Sequence, residues 1–184
     1  MQQSGTSFKG WVMDKYRTVL LDPPWLERGG GKKYKRGADR HYSLMGKHQI
    51  LRAVILCEHF DKIHENAHMY MWVTNSFLAD GMWLMNALHF RYVTNICWAK
   101  NRIGLGQYFR GQHELCLFGT RGKKPTEPRT ERKDLSSLIC ASKSLHSQKP
   151  EESYQLIEQR SKGPYLELFG RRQRDGWTVW GDEA

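Results

Sequence analysis

The sequence has no long hydrophobic run. Its 184 residues are 39% hydrophobic, and no charge-free apolar stretch approaches the ~18–20 residues needed to span a bilayer. No apolar segment of the kind found in a signal peptide follows Met1. The absence of both features predicts a soluble, intracellular protein without a membrane partner.

Cysteine is scarce and forms no metal-binding pairs. The four cysteines, Cys57, Cys97, Cys116 and Cys140, include no Cys-x-x-Cys pair, and a structural metal site needs clustered ligands. We therefore predict reduced thiols in the core and no metal site.

Acidic residues are outnumbered, with 19 Asp and Glu against 29 Lys and Arg and a net charge of +10. The excess is concentrated in two segments that glycine or proline interrupts, which is typical of loops. The first segment contains Arg28, Lys32, Lys33, Lys35, Arg36 and Arg40. The second contains Arg121, Lys123, Lys124, Arg129, Arg132 and Lys133. Two basic loops in a protein of high positive charge predict a polyanionic partner, and we expect both to flank one opening.

Hydrophobic periodicity predicts strands that alternate with helices. The predicted strands are 16–21, 68–73, 92–98, 114–118, 165–169 and 178–180, and the predicted helices are 46–60, 75–88 and 150–160. This alternation is typical of a single α/β domain with a mostly parallel sheet. Ligands of such sheets bind beyond the carboxyl ends of the strands. The rule indicates the loops that start at Asp22, Thr74, Lys100, Gly119 and Gly170.

The tetrapeptide Asp22-Pro23-Pro24-Trp25 lies at the end of the first predicted strand. Because proline has no backbone N–H, a carboxylate and a carbonyl stand here without a competing donor. Two such acceptors suit the two N–H hydrogens of an exocyclic amine, and holding both would free the lone pair of the nitrogen. The Trp ring would offer a base a stacking surface, worth ~1–3 kcal/mol. The alternative is a plain turn, since Asp-Pro commonly opens one.

Further segments carry a family resemblance. They are Tyr42-Ser43-Leu44-Met45, Met71-Trp72-Val73-Thr74, Cys97-Trp98-Ala99-Lys100, 114–122, His146-Ser147-Gln148-Lys149-Pro150, 167–171 and 177–181. Together with the tetrapeptide, and in this order, they resemble the adenine-N6 methyltransferases related to the catalytic subunit of the eukaryotic mRNA adenosine methyltransferase, in particular small prokaryotic or phage-type members. The resemblance implies a single-domain, Rossmann-like class I methyltransferase fold over residues 16–184, with permuted motif order and residues 1–15 as an N-terminal extension.

The resemblance also implies S-adenosylmethionine as cofactor and assigns roles to matching residues. The catalytic candidates are Asp22, Pro23, Pro24 and Trp25, of which Asp22 and the Pro23 carbonyl would hold the adenine amine. The base-pocket candidates are Tyr34, Tyr42, Glu114, Ser147 and Lys149. The cofactor-binding candidates are Asp22, Lys149, Phe169, Arg171, Asp182 and Glu183. The nucleic-acid-binding candidates are Arg28, Lys32, Lys33, Lys35, Arg36, Arg121, Lys123 and Lys124.

Two segments depart from the family pattern. Arg172-Gln173-Arg174 stands where the family has Pro-His-Asn, and Asp182-Glu183 stands where it has Asn-Gln. Carboxylates only accept hydrogen bonds. The acidic pair therefore suits ribose hydroxyls or the adenine amine, but not a ring nitrogen that is itself an acceptor.

The expected activity is methyl transfer from S-adenosylmethionine to the N6 amine of a flipped adenine in a polynucleotide. We favour DNA over RNA, because a chain of this length leaves no room for an added target-recognition module. RNA stays open, since a flipped base looks alike from either polymer. Two further functions stay open, that of a non-catalytic nucleic-acid-binding subunit and that of a cytosine-N4 methyltransferase. A homodimer or a partner subunit also stays open, and the cytoplasm of a prokaryotic or phage-infected cell is the expected location.

Overall fold

The computed structural model describes residues 15–26, 44–104, 106, 108–123, 134–142 and 148–181. Within these ranges the strands are β1 (Tyr16–Leu21), β2 (Ile63–Val73), β3 (Arg91–Lys100), β4 (His113–Arg121), β5 (Leu138–Ala141), β6 (Tyr165–Leu168) and β7 (Trp177–Trp180). The helices are α1 (Lys47–Leu56), α2 (Leu78–Ala87) and α3 (Glu151–Arg160). Short 3-10 turns, Phe60–Lys62 and Asn75–Phe77, precede β2 and α2. None of these helices combines the length and the apolar character needed to cross a lipid bilayer.

The strands form one sheet in the order β5-β3-β4-β2-β1-β6-β7. Neighbouring strands are parallel except at β4, which runs antiparallel to both β2 and β3. At the end of β1, Leu21 pairs with Met71 of β2 and with Leu168 of β6. Asp22 therefore leaves β1 at the carboxyl edge of the parallel strands, where ligands of such sheets bind.

Both faces of the sheet are buried, as is usual where most strands are parallel. Successive side chains of a strand point to opposite faces, and in β1 and β2 both sets are largely apolar. One face packs against α1 and α2 through a core that includes Val19, Leu21, Met69, Met71, Ile50, Val54 and Leu84. The other face packs against α3 through a core that includes Leu20, Tyr70, Trp72, Trp98, Tyr154 and Ile157.

The predicted α/β fold with a mostly parallel sheet is confirmed. The predicted helix ends differ, since α1 stops at Leu56 rather than at residue 60, and α2 starts at Leu78 after the 3-10 turn. β5 was not predicted from the sequence; it has four residues, of which only Ile139 is buried. It is an edge strand whose place depends on pairing with β3, a contact between distant segments that its own sequence does not show.

The four cysteines are free thiols. Cys57 and Cys116 are buried, but Cys140 is exposed. The prediction that all four thiols lie in the core is therefore wrong for Cys140, because its side chain faces outward from the edge strand β5.

The reversed direction of β4 corrects one expectation about the basic loops. The end of β4 lies at the edge opposite Asp22, since Arg121 pairs with Ala67 near the start of β2. The second basic segment therefore leaves the sheet on the far side from the tetrapeptide. The expectation that both basic segments flank one opening is wrong for Arg121 and Lys123.

Gly119 of β4 tests the packing between the sheet and α2. A Cβ at this position would lie 2.6 Å from Met85 Sδ and 2.9 Å from the backbone oxygen of Arg91. We expect Gly119→Ala to lower the free energy of unfolding by about 1–3 kcal/mol through overpacking. Urea denaturation followed by circular dichroism measures the change. Lys123→Ala, at an exposed position near the end of β4, is the control and should stay within about 0.5 kcal/mol of the wild type. Equal stability of all three proteins would contradict this packing.

Candidate active site

Three charged side chains from distant parts of the sequence meet at the carboxyl edge of the sheet. Asp22 follows β1, Glu114 is the second residue of β4, and Lys149 lies two residues before α3. Lys149 Nζ is 2.8 Å from Asp22 Oδ1 and 3.7 Å from Glu114 Oε2. Because β4 is antiparallel, its first residues are the ones that reach this edge. The structure thus brings together three residues that the sequence analysis had placed in one site.

The Lys149 ammonium is enclosed by protein. Its side chain is 12% exposed, and Nζ lies 5.5 Å from the centre of the Trp72 ring. Burial by itself lowers the pKa of a lysine, but attraction to Asp22 and then to Glu114 outweighs burial here and raises the pKa of Lys149. Lys149 therefore remains a cation throughout the neutral pH range, held between two carboxylates.

Lys100 extends this charge network and was not among the predicted site residues. Its ammonium pairs with Glu114 Oε1 and lies 4.8 Å from the centre of the Trp98 ring. Its side chain is 15% exposed, so the pair is largely shielded from water. Lys100 belongs to the Trp-x-Lys segment that carries part of the family resemblance, but the resemblance assigned it no role. The network alternates in sign along Lys100, Glu114, Lys149 and Asp22.

Backbone hydrogen bonds hold the tetrapeptide in place. The Asp22 N–H donates to the Leu168 oxygen at 3.2 Å, and the Trp25 N–H donates to the Pro23 oxygen at 2.9 Å. The Met45 N–H donates to the Pro24 oxygen at 2.7 Å. A carbonyl oxygen has two lone pairs, so Pro23 keeps one for a second donor. The predicted pair of acceptors, the Asp22 carboxylate and the Pro23 carbonyl, is compatible with this geometry.

Trp25 is part of the core rather than of an open surface. It is 5% exposed, its indole Nε1 donates to the Trp72 oxygen at 2.9 Å, and its ring stacks on Phe77 with 5.4 Å between centres. In this conformation little ring surface is left for a base. The contacts of Trp25 instead anchor the tetrapeptide to β2 and to the turn that follows it.

The loops after β6 and β7 approach each other closely beside Asp22. The Gly170 N–H donates to the Trp180 oxygen at 3.1 Å, and a Cβ on Gly181 would lie 2.2 Å from the Gly170 oxygen. Phe169 has a φ of 63°, and its ring meets Trp180 edge to face at 5.6 Å. Arg171 follows in the same loop, and its positive charge acts on Lys149. Phe169 and Arg171 thus lie at the same edge as Asp22.

Glu167 is a buried carboxyl group that sequence reasoning missed, although it belongs to a quoted segment. It is 6% exposed, lies beside Leu20 in the sheet and accepts a hydrogen bond of 2.9 Å from Tyr154 Oη. Burial raises its pKa to about 7, and the negative charge of Asp22 acts in the same direction. The position of a glutamate within a short apolar strand was the sequence feature that could have indicated this buried carboxyl group.

Several predicted site residues fall outside the described ranges. They are Tyr34, Tyr42, Ser147, Asp182 and Glu183, and the basic residues Arg28, Lys32, Lys33, Lys35, Arg36 and Lys124. Of the predicted nucleic-acid contacts, Arg121 and Lys123 are described. The Arg121 guanidinium donates to the backbone oxygens of Ile63 and His64, so it holds the sheet together at the edge opposite Asp22.

Comparison with known proteins identifies the class to which this fold and site belong. The MT-A70 family profile matches residues 16–183, which include every residue of the network described above. The chain belongs to the MT-A70 family.

Individual relatives are similar over almost the whole chain. Type II methyltransferase M.MunI from Mycoplasma sp is 27% identical over 187 residues, which cover 92% of this chain and 78% of that protein. The catalytic subunit METTL3 of the human N(6)-adenosine-methyltransferase is 26% identical over 188 residues, 94% of this chain. An Arabidopsis thaliana N(6)-adenosine-methyltransferase MT-A70-like protein is 23% identical over 192 residues. The chain spans 29% of the human protein and 25% of the plant protein.

Glu167→Gln tests the buried carboxyl group next to the site. The folded-state pKa of about 7 lies above the ordinary value of 4.5. Between these values the folded protein keeps a proton that the unfolded chain releases, so stability falls as the pH rises through this window. The loss amounts to at most about 3 kcal/mol. Glutamine does not titrate but can still accept from Tyr154, and we expect the stability of the variant to change less from pH 4.5 to 7.5. Urea denaturation at both pH values measures this, and parallel profiles would contradict it.

Proposed function

We propose that this protein transfers a methyl group from S-adenosylmethionine to the N6 amine of adenine in a polynucleotide, and that DNA is preferred over RNA. The observation that carries the proposal is the Lys149 ammonium between Asp22 and Glu114, directly beside the Asp-Pro-Pro-Trp tetrapeptide. Membership of the MT-A70 family and the names of the adenosine-methylating relatives support it.

The preference for DNA rests on how the relatives align. This chain matches 78% of the length of the type II methyltransferase. A substrate shared with the type II enzyme is therefore favoured. The chemistry at the base is the same for both polymers, so RNA is the direct alternative.

The residues of the edge fit S-adenosylmethionine. The amino-acid end of the cofactor carries one positive and one negative charge, and Asp22 and Lys149 offer the complementary pair. Two buried polar atoms of the same region, Trp72 Nε1 and Thr74 Oγ1, have no hydrogen-bond partner among the described residues. Because buried polar groups normally have a partner, a polar ligand at this edge would satisfy them. Phe169 and Arg171 would hold the nucleoside end.

Each member of the network has a task in this proposal. When bound, the cofactor supplies a methyl group on a positively charged sulfur, which leaves as a neutral thioether. Asp22 and the Pro23 carbonyl accept the two N–H hydrogens of the adenine amine and orient its lone pair. One of these two protons is released once the nitrogen carries the methyl group, so that the amine ends neutral. Lys149 holds the Asp22 carboxylate in position, and Glu114 and Lys100 in turn hold Lys149. Catalysis then depends on positioning in a site shielded from water.

Methylation assays on matched oligonucleotides test the proposal. We expect N6-methyladenine after incubation of a DNA duplex with the protein and S-adenosylmethionine, detected by nuclease digestion and mass spectrometry of the nucleosides. Equal assays use single-stranded DNA and RNA of the same sequence. Product on RNA alone would overturn the DNA preference, and N4-methylcytosine would overturn the choice of base. A protein that binds oligonucleotides but not S-adenosylmethionine would be a binding subunit.

Asp22→Asn tests the acceptor role within the same assay. The amide keeps the size of the side chain but loses the charge and one acceptor oxygen, so we expect kcat to fall at least about 100-fold, since a buried charge loses its partner. We expect the affinity for S-adenosylmethionine, measured by calorimetry, to fall much less than kcat, because Phe169 and Arg171 still hold the nucleoside end. Asp61→Asn is the matched control, because Asp61 is exposed in the 3-10 turn at the other edge of the sheet. Near-wild-type turnover of Asp22→Asn would refute the mechanism.

Lys100→Met tests whether the network positions Lys149. Without Lys100, Glu114 loses the ion pair at Oε1, and the geometry between Lys149 and Asp22 is disturbed. We expect kcat to fall by roughly 10- to 100-fold, in line with the loss of one hydrogen bond between charged groups, with little change in KM for S-adenosylmethionine. Lys100→Arg restores the charge and should recover most of kcat. If the Met and Arg variants were equally impaired, Lys100 would have a packing role only.

A further inference from the structure

The segment between β3 and β4 is attached to the candidate active site at both of its ends. It begins after Lys100 and ends immediately before Glu114, and these two side chains form an ion pair in the network. Both ends of the segment therefore lie at the same edge of the sheet as the candidate active site. The proposed methyl-transfer mechanism uses none of its residues.

Two aromatic side chains in the second half of this segment are exposed to solvent. Tyr108 is completely exposed, and Phe109 is 88% exposed. Most other exposed apolar side chains of the described chain are about half covered, as Trp83 is at 37% and Ile55 at 46%. Two adjacent, exposed aromatic rings at the same edge as a charged site indicate a binding surface, since they take no part in the hydrophobic core.

The backbone holds these rings in a defined place. The Gly104 N–H donates to the Gly111 oxygen at 2.7 Å, and the Lys100 N–H donates to the Gln112 oxygen at 2.8 Å. Tyr108 has a φ of 58°, a conformation that costs a residue with a Cβ of order 1 kcal/mol or more. This strained conformation lies in a segment that two backbone hydrogen bonds hold in place. Backbone strain of this kind is typical of ligand-binding positions.

The positive charge of the segment favours a nucleic acid as its ligand. Residues 101–112 include two arginines and no Asp or Glu, and both Arg102 and Arg110 are exposed. Exposed aromatic rings beside cations provide stacking for bases and attraction for phosphates. An apolar protein partner would need a wider apolar surface and would gain little from the two guanidinium groups.

We propose that Tyr108 and Phe109 form a stacking platform for the bases next to the methylated adenine, and this rests on the proposed function. When an adenine leaves the helix for the site, its neighbours and its former partner lose their stacking. Rings at the rim of the site are in reach of these exposed base faces. Arg102 and Arg110 hold the adjacent phosphates.

The test replaces both rings without removing their apolar character. In the double variant Tyr108→Leu, Phe109→Leu we expect at least about 10-fold weaker binding to an oligonucleotide duplex, since the loss of even one stacked ring costs a factor of this order. Fluorescence anisotropy with a labelled duplex measures the affinity, and binding of S-adenosylmethionine should stay unchanged. The aromatic variant Tyr108→Trp, Phe109→Tyr should bind like the wild type. Leu56→Ser, at a position that is 70% exposed at the end of α1, is the control for loss of surface apolarity.

A duplex with 2-aminopurine next to the target adenine gives a second readout. Its fluorescence reports stacking directly, and we expect it to be quenched by the wild type and not by the leucine variant. Because binding and stacking are measured without turnover, they test the platform even if no methylated product forms. Wild-type affinity and quenching in the leucine variant would overturn the proposal. A leucine variant with unchanged DNA affinity, together with a Tyr108→Ser, Phe109→Ser variant that changes from dimer to monomer in light scattering, would show a protein interface instead.

Discussion

An ammonium group that is taken out of water needs carboxylates around it, and the arrangement of the carboxyl edge follows from this need at Lys149. Desolvation of an unpaired charge costs several kcal/mol, and here Asp22 and Glu114 compensate it from two sides. Lys100 in turn pairs with the other oxygen of Glu114, so that no carboxylate of the network is left without a cation. The three segments that supply these groups can meet only if β1 is central, β4 is reversed and α3 starts above the same edge. The strand order thus determines which charged side chains meet at this edge.

The antiparallel direction of β4 decides where both of its ends lie. At its start it brings Glu114 to the edge and sets the segment 101–112 beside the site, with two arginines and two exposed rings. At its end it carries Arg121 to the opposite edge, where the guanidinium binds backbone oxygens of β2. Of the two predicted basic segments, the described residues Arg121 and Lys123 therefore lie away from the site.

The residue types of the tetrapeptide explain only part of its rigidity. The two prolines restrict the backbone, but Trp25 contributes as much by burying its ring against Phe77 and donating to the Trp72 oxygen. A buried anchor keeps the Asp22 carboxylate and the Pro23 carbonyl in fixed positions before any substrate arrives. Fixed acceptors need no reorganisation during the reaction, which is the main advantage that an enzyme has over water. In this chain Trp25, which was expected to face the base, instead stabilises the residues that are proposed to do so.

The sequence by itself determined the α/β class, the three helices, six of the seven strands and the membership of Asp22, Glu114 and Lys149 in one site, because these depend on hydrophobic periodicity and on motifs that are local. It missed β5, an edge strand whose place depends on pairing with β3, and it gave no role to Lys100 or Glu167, whose importance comes from their contacts with distant residues. Only the tertiary structure decided which edge each loop occupies, since the direction of β4 depends on pairing with β2 and β3. It also decided that Trp25 is buried, because burial depends on which side chains from distant segments cover the ring.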